Sequence, residues 1–353
     1  MSLREVEPPA GPPWGLPLAG TLDELVVESE LLADNPLGDP ARRPLYVYTP
    51  PGVEPGQAAL LPSIYVIQGY YGRVDSWLHR PPFEPSMVER VDALYAGEPA
   101  CPDAIVVFVD AWTAYGGSQY VDSIATGPYQ SYLCDEVIPF VDARYPTAPE
   151  PERRGISGKS SGGYGAMVVP MMRPDCFSAL ASHAGDALFE LCHVPFFGEV
   201  VRTLRDHFDG SFDVFFERIG KLERFDMDRL GGPLMEYGCA AAYTPDPDRP
   251  GKALLPFDIE TGRLVDEVWE RYLEWDPVRM AAGRAHELRS LRYVYLDGGR
   301  SDEWYLDLGA QAFGKELGKL GVEHELELFD GKHGGIAYRY PEAIRRMVTA
   351  LSR

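Results

Sequence analysis

Short apolar runs alternate with longer amphipathic stretches along most of the chain. Two β-branched and aromatic runs, "TLDELVVESELL" and "PLYVYTPPG", come first and end at turn residues, as a leading pair of strands would. Further short runs, several of them apolar on both faces like strands inside a parallel sheet, occur at 63–69, 104–111, 153–158, 179–185, 292–299 and 323–331. Helical patterns such as "YQSYLCDEVIPFVDARY" separate them. This alternation predicts an α/β fold with a doubly wound, mostly parallel sheet.

One interval breaks the alternation. Residues 186–275 show no convincing strand and carry amphipathic stretches around a Gly/Pro-rich passage at 231–251. Such a length greatly exceeds that of an ordinary crossover, so it predicts an inserted helical cap. The α/β core then comprises 21–185 and 276–353, and the Pro- and Gly-rich residues 1–20 form an irregular N-terminal arm.

Charge and cysteine usage narrow the class of protein. With 54 acidic and 33 basic residues the net charge is -21, which disfavours nucleic acid and membrane partners. The five cysteines are scattered and never spaced as C-x-x-C, so we expect reduced, buried thiols and no metal. No hydrophobic signal segment or membrane-spanning run is present. We expect a cytoplasmic protein without a cofactor, and its oligomeric state stays open.

The stretch "GISGKSSGGYGA" at 155–166 allows two interpretations. A phosphate-binding loop needs a glycine five places before Gly158, where this chain has Arg153. The pattern G-x-S-x-G instead matches Gly158 to Gly162 without a gap, after a predicted strand and before a helix rich in small residues. That context is a nucleophile elbow, and it predicts Ser160 as the nucleophile.

A serine nucleophile needs a base and an acid that orients the base. The loop after the last predicted strand, "LFDGKHGG", offers His333, which we predict to be the base. The loop "YLDGGRSDEW" after the preceding strand offers Asp297 and Asp302. Asp302 is favoured because a loop carboxylate can swing under the imidazole, whereas Asp297 precedes two glycines and can bind turn amides; Asp297 stays the alternative.

Acyl transfer also needs hydrogen-bond donors for the oxyanion. One is predicted to be the backbone N–H of Ser161 at the helix N-terminus, and the other that of Tyr70 in the loop "GYYG". Substrate contacts are assigned to Tyr71, Trp112 and His183, with His193 as a weaker candidate. Other aromatic residues that can line a pocket are Trp77, Tyr115, Phe196, Phe197, Tyr237 and Trp269.

Six motifs together resemble one enzyme group. They are "LYVYTPPG", "YVIQGYYG", "SIATGPYQSYLCDEVIPFVDARY", "GISGKSSGGYGAM", "YLDGGRSDEW" and "KHGG". Over roughly 22–185 and 276–352 the chain resembles the α/β-hydrolases that include S-formylglutathione hydrolase (esterase D), enterochelin esterases, feruloyl esterases and mycolyltransferases. The resemblance implies an α/β-hydrolase fold and hydrolysis of esters or thioesters. It also implies Asp302 as the acid, His333 as the base and Tyr70 as the second oxyanion donor.

The chain departs from the family pattern at three positions. Gln68 stands where a His usually precedes the loop glycine, which should alter the support of the loop rather than the chemistry. Pro170 is expected to interrupt the helix after the elbow. Lys159 precedes the nucleophile, either as a solvated side chain on the outer face of the elbow or as the partner of a nearby acid. Elsewhere, Glu136 and Arg154 are expected to form a buried pair.

The prediction is a serine hydrolase that cleaves a small-molecule carboxylic ester or thioester through an acyl-enzyme on Ser160. An acyltransferase on the same fold and a catalytically silent binding protein are the alternatives. A phosphate-loop ATPase is excluded by Arg153 and by the acidic charge.

Overall fold

A mostly parallel sheet of eight strands organises the protein. The structure is a computed structural model that describes residues 17–54 and 56–353, so most of the predicted N-terminal arm lies outside the described residues. The strands are β1 (Thr21–Glu28), β2 (Arg42–Thr49), β3 (Ser63–Ile67), β4 (Ile105–Val109), β5 (Asp122–Ser123), β6 (Gly127–Pro128), β7 (Arg154–Lys159), β8 (Ala179–His183), β9 (Tyr293–Gly299) and β10 (Glu325–Phe329). All eight predicted strands are present, and β5 and β6 form a separate small pair.

The strand order in the large sheet is β1-β2-β4-β3-β7-β8-β9-β10. β1 pairs antiparallel with β2, and β2 antiparallel with β4, whereas the neighbours from β4 to β10 are all parallel. The carboxyl ends of β3, β7, β9 and β10 therefore meet at one edge. That edge receives the loops that carry the predicted site residues.

Apolar side chains cover both faces of the sheet. In β4, Ile105, Val107 and Val109 belong to one core and Val106 and Phe108 to the other, because successive side chains of a strand point to opposite faces. The continuous apolar runs of the sequence are thus strands buried between two helical layers.

The helices surround this sheet. They are α1 (Met87–Ala96), α2 (Tyr129–Ser131), α3 (Ile138–Asp142), α4 (Ser161–Met172), α5 (Phe189–Cys192), α6 (Val194–His207), α7 (Phe212–Ile219), α8 (Met227–Tyr243), α9 (Asp266–Leu273), α10 (Pro277–Gly283), α11 (Ala285–Arg289), α12 (Leu306–Leu320) and α13 (Tyr340–Leu351). A π-helical turn, Tyr132–Val137, joins α2 to α3, and 3₁₀ turns lie at Val74–Leu78, Pro151–Arg153 and Ala337–Arg339. Helix α4 runs through Pro170 to Met172, so the expected interruption at Pro170 is wrong. The proline falls in the last turn, near the point where the helix ends in any case.

The predicted cap interval is helical, and the helices include its Gly/Pro-rich middle. Helices α5 to α9 lie within 186–275. Helix α8, of 17 residues, runs through the Gly/Pro-rich passage and contains Gly231, Gly232 and Pro233. The amphipathic pattern of the sequence pauses at this passage. Most of the α8 side chains are buried, and this packing outweighs the low helix propensity of glycine and proline. The division into core and cap domains stays a prediction.

The expected pair of Glu136 with Arg154 is not formed. Arg154 contacts Asp142, with Nη2 at 2.8 Å from Oδ2. Glu136 accepts a hydrogen bond from the hydroxyl of Ser29 and two more, at 2.8 and 3.0 Å, from the next two backbone N–H groups. Each charged group has a partner, but the π-helical turn directs Glu136 towards the end of β1 rather than towards β7.

The predictions about the cysteines and about membrane-spanning segments can be compared with the structure. The five cysteines are all free and buried, as expected. Among the helices of the described residues, none has both the length and the apolar character needed to cross a bilayer.

Candidate active site

Ser160 occupies a strained turn between β7 and α4. Its φ is +58° and its ψ is -127°, a conformation that an L-residue adopts only when its surroundings enforce it. Its backbone N–H donates to the carbonyl oxygens of His183 and Ala184, at 3.0 and 3.1 Å. The end of β8 therefore holds the turn in place and leaves the serine side chain at the edge of the sheet.

The glycines of the G-x-S-x-G motif are required by close backbone contacts. A Cβ added to Gly158 would lie 2.4 Å from the backbone of Gly162, and one added to Gly162 would lie 2.6 Å from the carbonyl oxygen of Ile67. Real Cβ atoms do not approach backbone so closely. The motif thus follows from the packing of α4 against β3 and β7.

His333 and Asp302 lie together in neighbouring loops, after β10 and β9. His333 Nδ1 is 2.9 Å from Asp302 Oδ2. The other carboxylate oxygen accepts the backbone N–H of Trp304 at 2.9 Å, and the N–H of His333 donates to Glu303 at 3.1 Å. The Asp302 side chain is fully buried, whereas that of His333 is 16% exposed. This arrangement fixes the imidazole through Nδ1, and the described residues place no hydrogen-bond partner at its other nitrogen.

Asp297, the alternative acid, belongs to a different cluster. Its Oδ2 lies 2.9 Å from His183 Nδ1 and 2.6 Å from Arg339 Nε, and its side chain is fully buried. Burial alone would raise the pKa of Asp297, but the neighbouring His183 and Arg339 outweigh it and lower that pKa. The structure therefore brings Asp302, and not Asp297, to His333.

A cavity of about 500 Å³ opens beside Ser160. Tyr70, Tyr71, Ser160 and His333 line it as predicted, and so do the weaker candidate His193 and the aromatic residue Phe196. The remaining lining residues come from the elbow, the loops at the sheet edge and helices α5, α6, α8 and α12: Gly69, Lys159, Asp186, Cys192, Glu199, Val200, Met227, Asp228, Gly231, Gly232, Met235, Trp304 and Leu306. Helices of the predicted cap interval thus form one wall of the cavity.

Trp112 and His183 are not brought to this cavity. His183 is fully buried at the end of β8, where its ring packs 4.3 Å from that of Tyr340. Trp112 follows β4, and its ring lies under the guanidinium of Arg73 at 5.9 Å. Position at the carboxyl end of a strand was not enough to predict their orientation, because side chains leave a strand on alternating faces.

The loop "GYYG" has a fixed conformation. Tyr71 has a φ of +64°, and its N–H donates to the carbonyl of Gly116 at 2.9 Å. The hydroxyl of Tyr70 donates to the carbonyl of Tyr115 at 2.7 Å. The backbone N–H of Tyr70 makes no backbone hydrogen bond within the described part of the chain, so it is available to a ligand.

Gln68 supports this loop. Its side-chain amide donates to the carbonyl of Arg73 and, at 3.3 Å, to the hydroxyl of Ser76. Its backbone N–H donates to the hydroxyl of Tyr120 at 2.6 Å. Gln68 therefore contacts the loop and does not line the cavity, and its effect on loop support relative to a His stays a prediction.

Lys159 fits neither of the expected environments. It is half-buried and lines the cavity, and its ammonium group has no hydrogen bond or ion pair with the described residues. Burial lowers the pKa of Lys159, against the opposing effect of the carboxylates of Asp302, Asp186 and Glu303. The elbow thus presents a desolvated amine to the cavity.

Three polar residues of the site were missed or underrated by sequence reasoning. Asp186 lines the cavity and accepts hydrogen bonds from Ser161 Oγ at 3.0 Å and Gln119 Nε2 at 3.3 Å. Burial raises the pKa of Asp186. His193 also lines the cavity, and its ring pairs with Glu236 of α8. The position of Asp186 just after the strand "ALASH" was an available signal, whereas nothing local marked Glu236.

The parallel sheet, the elbow and the loops after β9 and β10 define the protein as an α/β-hydrolase. The chain belongs to the family described as "Putative esterase", which matches residues 41–335. It is a carboxylic ester hydrolase, and the resemblance stated from the sequence motifs is confirmed. Among curated proteins, none matches this sequence.

Solved structures with the same fold include several esterases. A ferulic acid esterase is 17% identical, with a TM-score of 0.57, and the match covers 94% of this chain and 98% of that one. The Staphylococcus aureus serine hydrolase FphF is 14% identical, with a TM-score of 0.56 and coverage of 95% and 99%. An S-formylglutathione hydrolase from Agrobacterium tumefaciens is 13% identical, with a TM-score of 0.55 and coverage of 96% and 98%. At these identities the likeness concerns the fold alone.

Proposed function

We propose that this protein is a serine esterase in which Ser160 is the nucleophile, His333 the general base and Asp302 the residue that orients the base. The observation that carries the proposal is their common location. Ser160 stands on a strained elbow and lines the same cavity as His333, whose Nδ1 lies 2.9 Å from the buried Asp302 carboxylate. An acid that holds Nδ1 leaves Nε2 to serve the serine.

In the first half-reaction, His333 Nε2 takes the hydroxyl proton of Ser160 while Oγ attacks the acyl carbonyl carbon. Asp302 holds the ring in the correct tautomer and stabilises its positive charge. When the tetrahedral intermediate collapses, the bond from the carbonyl carbon to the alcohol oxygen or thiol sulfur breaks. The departing group takes the proton from His333, and the acyl group stays on Ser160.

In the second half-reaction, water replaces the leaving group. His333 removes a proton from the water as it attacks the acyl carbon, and the same proton returns to Ser160 Oγ when the ester bond to the enzyme breaks. The carboxylic acid is released and the enzyme is regenerated. Both steps need one base and no cofactor.

The negative oxygen of each intermediate is assigned to two backbone N–H groups. Ser161 is the first residue of α4, where N–H groups lack an intrahelical acceptor and the helix dipole favours an anion. The N–H of Tyr70 is free of backbone partners within the described residues. Each such donor contributes roughly 3 kcal/mol to transition-state stabilisation.

The proposed substrate is a small-molecule carboxylic ester or thioester. The cavity is large enough for an acyl or alcohol group of modest size. A catalytically silent binding protein on this fold would be expected to lack at least one of the three catalytic residue types. This chain has all three. The cytoplasmic location stays a prediction from the sequence.

The decisive experiment compares wild type with Ser160→Ala on 4-nitrophenyl esters and acyl thioesters. We expect ester turnover to fall by roughly 10⁴-fold or more in the variant, with circular dichroism unchanged. Burst kinetics in wild type would reveal the acyl-enzyme, and added alcohols would divert it if the protein were an acyltransferase. Undiminished turnover in Ser160→Ala would overturn the proposal.

A further inference from the structure

The two proposed oxyanion donors are the backbone N–H groups of Ser161 and Tyr70. Neither N–H has a backbone acceptor within the described residues, so both are available to an oxyanion. Availability is not enough, because a catalytic group displaced by about 1 Å loses roughly 10²-fold in rate. The contacts that orient these two peptide groups therefore bear on the rate of the reaction.

Ser161 is anchored through its side chain. Its hydroxyl donates to Asp186 Oδ2 at 3.0 Å, and the side-chain amide of Gln119 donates to the same oxygen at 3.3 Å. That amide also donates to the hydroxyl of Tyr243, the last residue of α8, at 2.7 Å. All four residues are buried. A continuous series of hydrogen bonds thus joins the first residue of α4 to the end of α8.

The loop that carries Tyr70 is anchored to the same helix. The next residue, Tyr71, has a φ of +64°, a conformation that persists only where contacts hold it. Its hydroxyl donates to the carbonyl oxygen of Gly231 in α8, and its ring packs edge-on against that of Tyr70, with centroids 4.8 Å apart. Tyr70 also lies against α8, since a Cβ on Gly238 would stand only 1.8 Å from the Tyr70 hydroxyl oxygen.

Both anchors end on α8, a helix of 17 residues whose side chains are mostly buried. We propose that Asp186 and Tyr71 are positioning residues, which aim the two donors at the oxyanion by connecting them to α8. Asp186 does so through the hydroxyl of Ser161, and Tyr71 through the loop of Tyr70. This inference rests on the proposed esterase function and deepens it, because it gives α8 a part in the rate of acyl transfer.

The first anchor is tested at both ends of its hydrogen bond. Ser161→Ala keeps the backbone N–H and removes only the hydroxyl that binds Asp186. We expect kcat for 4-nitrophenyl acetate to fall roughly tenfold or more, with KM and the unfolding temperature little changed. Asp186→Leu should cause the same loss, and the double variant should lose no more than either single variant, because the two groups act as one unit.

Asp186→Asn is the conservative variant. It retains an oxygen that can accept from both Ser161 and Gln119, so kcat should stay within about threefold of wild type. Burial raises the pKa of Asp186, and a neutral amide avoids the cost of burying a charge. We therefore expect Asp186→Asn to fold even if Asp186→Leu does not.

The second anchor is tested by Tyr71→Phe. This variant keeps the ring in the cavity wall and removes the hydroxyl that binds α8, and kcat should again fall roughly tenfold or more. The loss should be equal for acetate and hexanoate esters, since it does not depend on contact with the acyl chain. Tyr48→Phe is the matched control: it removes a hydroxyl that donates to Asp92 at 2.9 Å, outside the cavity. It should leave kcat unchanged.

A transition-state analogue reports on the oxyanion site directly. A trifluoromethyl ketone forms a hemiketal with Ser160, and its negative oxygen occupies the position of the oxyanion. Across these variants its Ki should rise in proportion to the fall in kcat/KM. The corresponding methyl ketone, which resembles the ground state, should bind as it does to wild type. A residue with a merely structural role would not separate the two inhibitors.

The outcomes separate this inference from the esterase proposal. Unchanged kcat in Ser161→Ala or in Tyr71→Phe would overturn the corresponding anchor, and an unchanged Ki of the trifluoromethyl ketone would overturn both. A loss in Asp186→Asn as large as in Asp186→Leu would assign the effect to charge instead of positioning. A loss in Tyr71→Phe confined to long esters would make Tyr71 a substrate contact. All of these leave the Ser160 mechanism intact, and its failure is recognised by turnover that persists in Ser160→Ala.

Discussion

At the scale of single residues, two aspartates five positions apart have different environments. Asp302 binds the imidazole of His333 at the cavity, whereas Asp297 is buried with His183 and Arg339, none of which lines the cavity. Each pairs with a histidine at 2.9 Å, so the pair distance alone does not separate the proposed catalytic acid from a structural carboxylate. The distinction comes from which histidine lines the cavity with Ser160.

Substituting each aspartate by asparagine should separate the two roles. Asp302→Asn is expected to lower kcat by roughly 10³- to 10⁴-fold, because the amide favours the wrong imidazole tautomer, with little change in stability. Asp297→Asn is expected to lower the free energy of unfolding by roughly 3 to 5 kcal/mol, because a buried ion pair loses one charge, and to leave kcat of the folded protein largely intact. Steady-state kinetics and urea unfolding measure the two effects. The reverse pattern would make Asp297 the catalytic acid.

At the scale of elements, the elbow depends on the close contact of the start of α4 with the end of β3. The backbone carbonyls of Ile67 and Gln68 stand 2.6 and 2.7 Å from the position of a Cβ on Gly162. Backbone at the centre of a sheet cannot move away cheaply, so the glycine is a requirement of packing and not of helix formation.

Gly162→Ala should therefore destabilise the protein by about 1 to 3 kcal/mol and displace Ser160, with a loss of activity larger than the loss of folded protein. Gly318→Ala is the control within α12, since a Cβ at Gly318 meets no atom within 4 Å. That change should stabilise the protein by roughly 0.5 to 1 kcal/mol with activity unchanged. Thermal unfolding and ester hydrolysis are measured for both. Full activity in Gly162→Ala would contradict the steric argument.

Helix α8 gives the cavity part of its size through two glycines. Gly231 and Gly232 both line the cavity, and a Cβ at Gly232 would meet nothing within 4 Å. A side chain there would project into open space rather than into packed neighbours. Helix α8 consequently limits the volume of the cavity.

Gly232→Leu should reduce kcat/KM for the longest accepted ester by roughly tenfold and leave acetate esters little affected. Gly318→Leu places the same side chain on an exposed helix position away from the cavity. It should leave kcat/KM unchanged for both the longest ester and the acetate ester. A chain-length series of 4-nitrophenyl esters is the measurement. A uniform loss across all chain lengths would show that α8 does not form the substrate wall.

At the scale of the whole molecule, buried carboxyl groups link stability to pH. Burial raises the pKa of Asp39, Asp186 and Asp276 above the ordinary value of 3.8. For a carboxyl whose folded pKa is raised, protonation favours the folded state, so stability grows as pH falls through the folded pKa towards the unfolded one. The pKa of Asp297 is lowered instead. Its contribution to stability is therefore present above about pH 3.8 and is lost as the pH falls through the lowered pKa.

The unfolding temperature should accordingly rise as pH is lowered from about 8 into the mildly acidic range and fall again below about pH 4. Protonation also relieves the repulsion within a chain of net charge -21. Differential scanning fluorimetry across this range, at constant ionic strength, checks the curve. An unfolding temperature that falls steadily as the pH is lowered from neutral would mean that carboxyl groups with a lowered pKa, such as Asp297, dominate.

The sequence by itself determined the sheet, the elbow and the order of the candidate catalytic residues. Apolar runs, turn residues and G-x-S-x-G are local patterns, and each expresses a local requirement: burial on both strand faces, or a turn too tight for a side chain. The eight strands were predicted for that reason. The positions of Ser160, Asp302 and His333, at the carboxyl edge of the sheet, were predicted in the same way.

Only the tertiary structure decided what surrounds those residues. The sequence did not predict α8 across its glycines, the pairing of His193 with Glu236, or the turning of His183 and Trp112 away from the cavity. These depend on contacts between segments distant in the chain, such as that of His193 with Glu236, which lie 43 positions apart. Side-chain direction and long-range packing leave no periodic trace in a single sequence. The fold and the candidate catalytic residues could therefore be predicted along the chain, whereas the wall of the cavity could not.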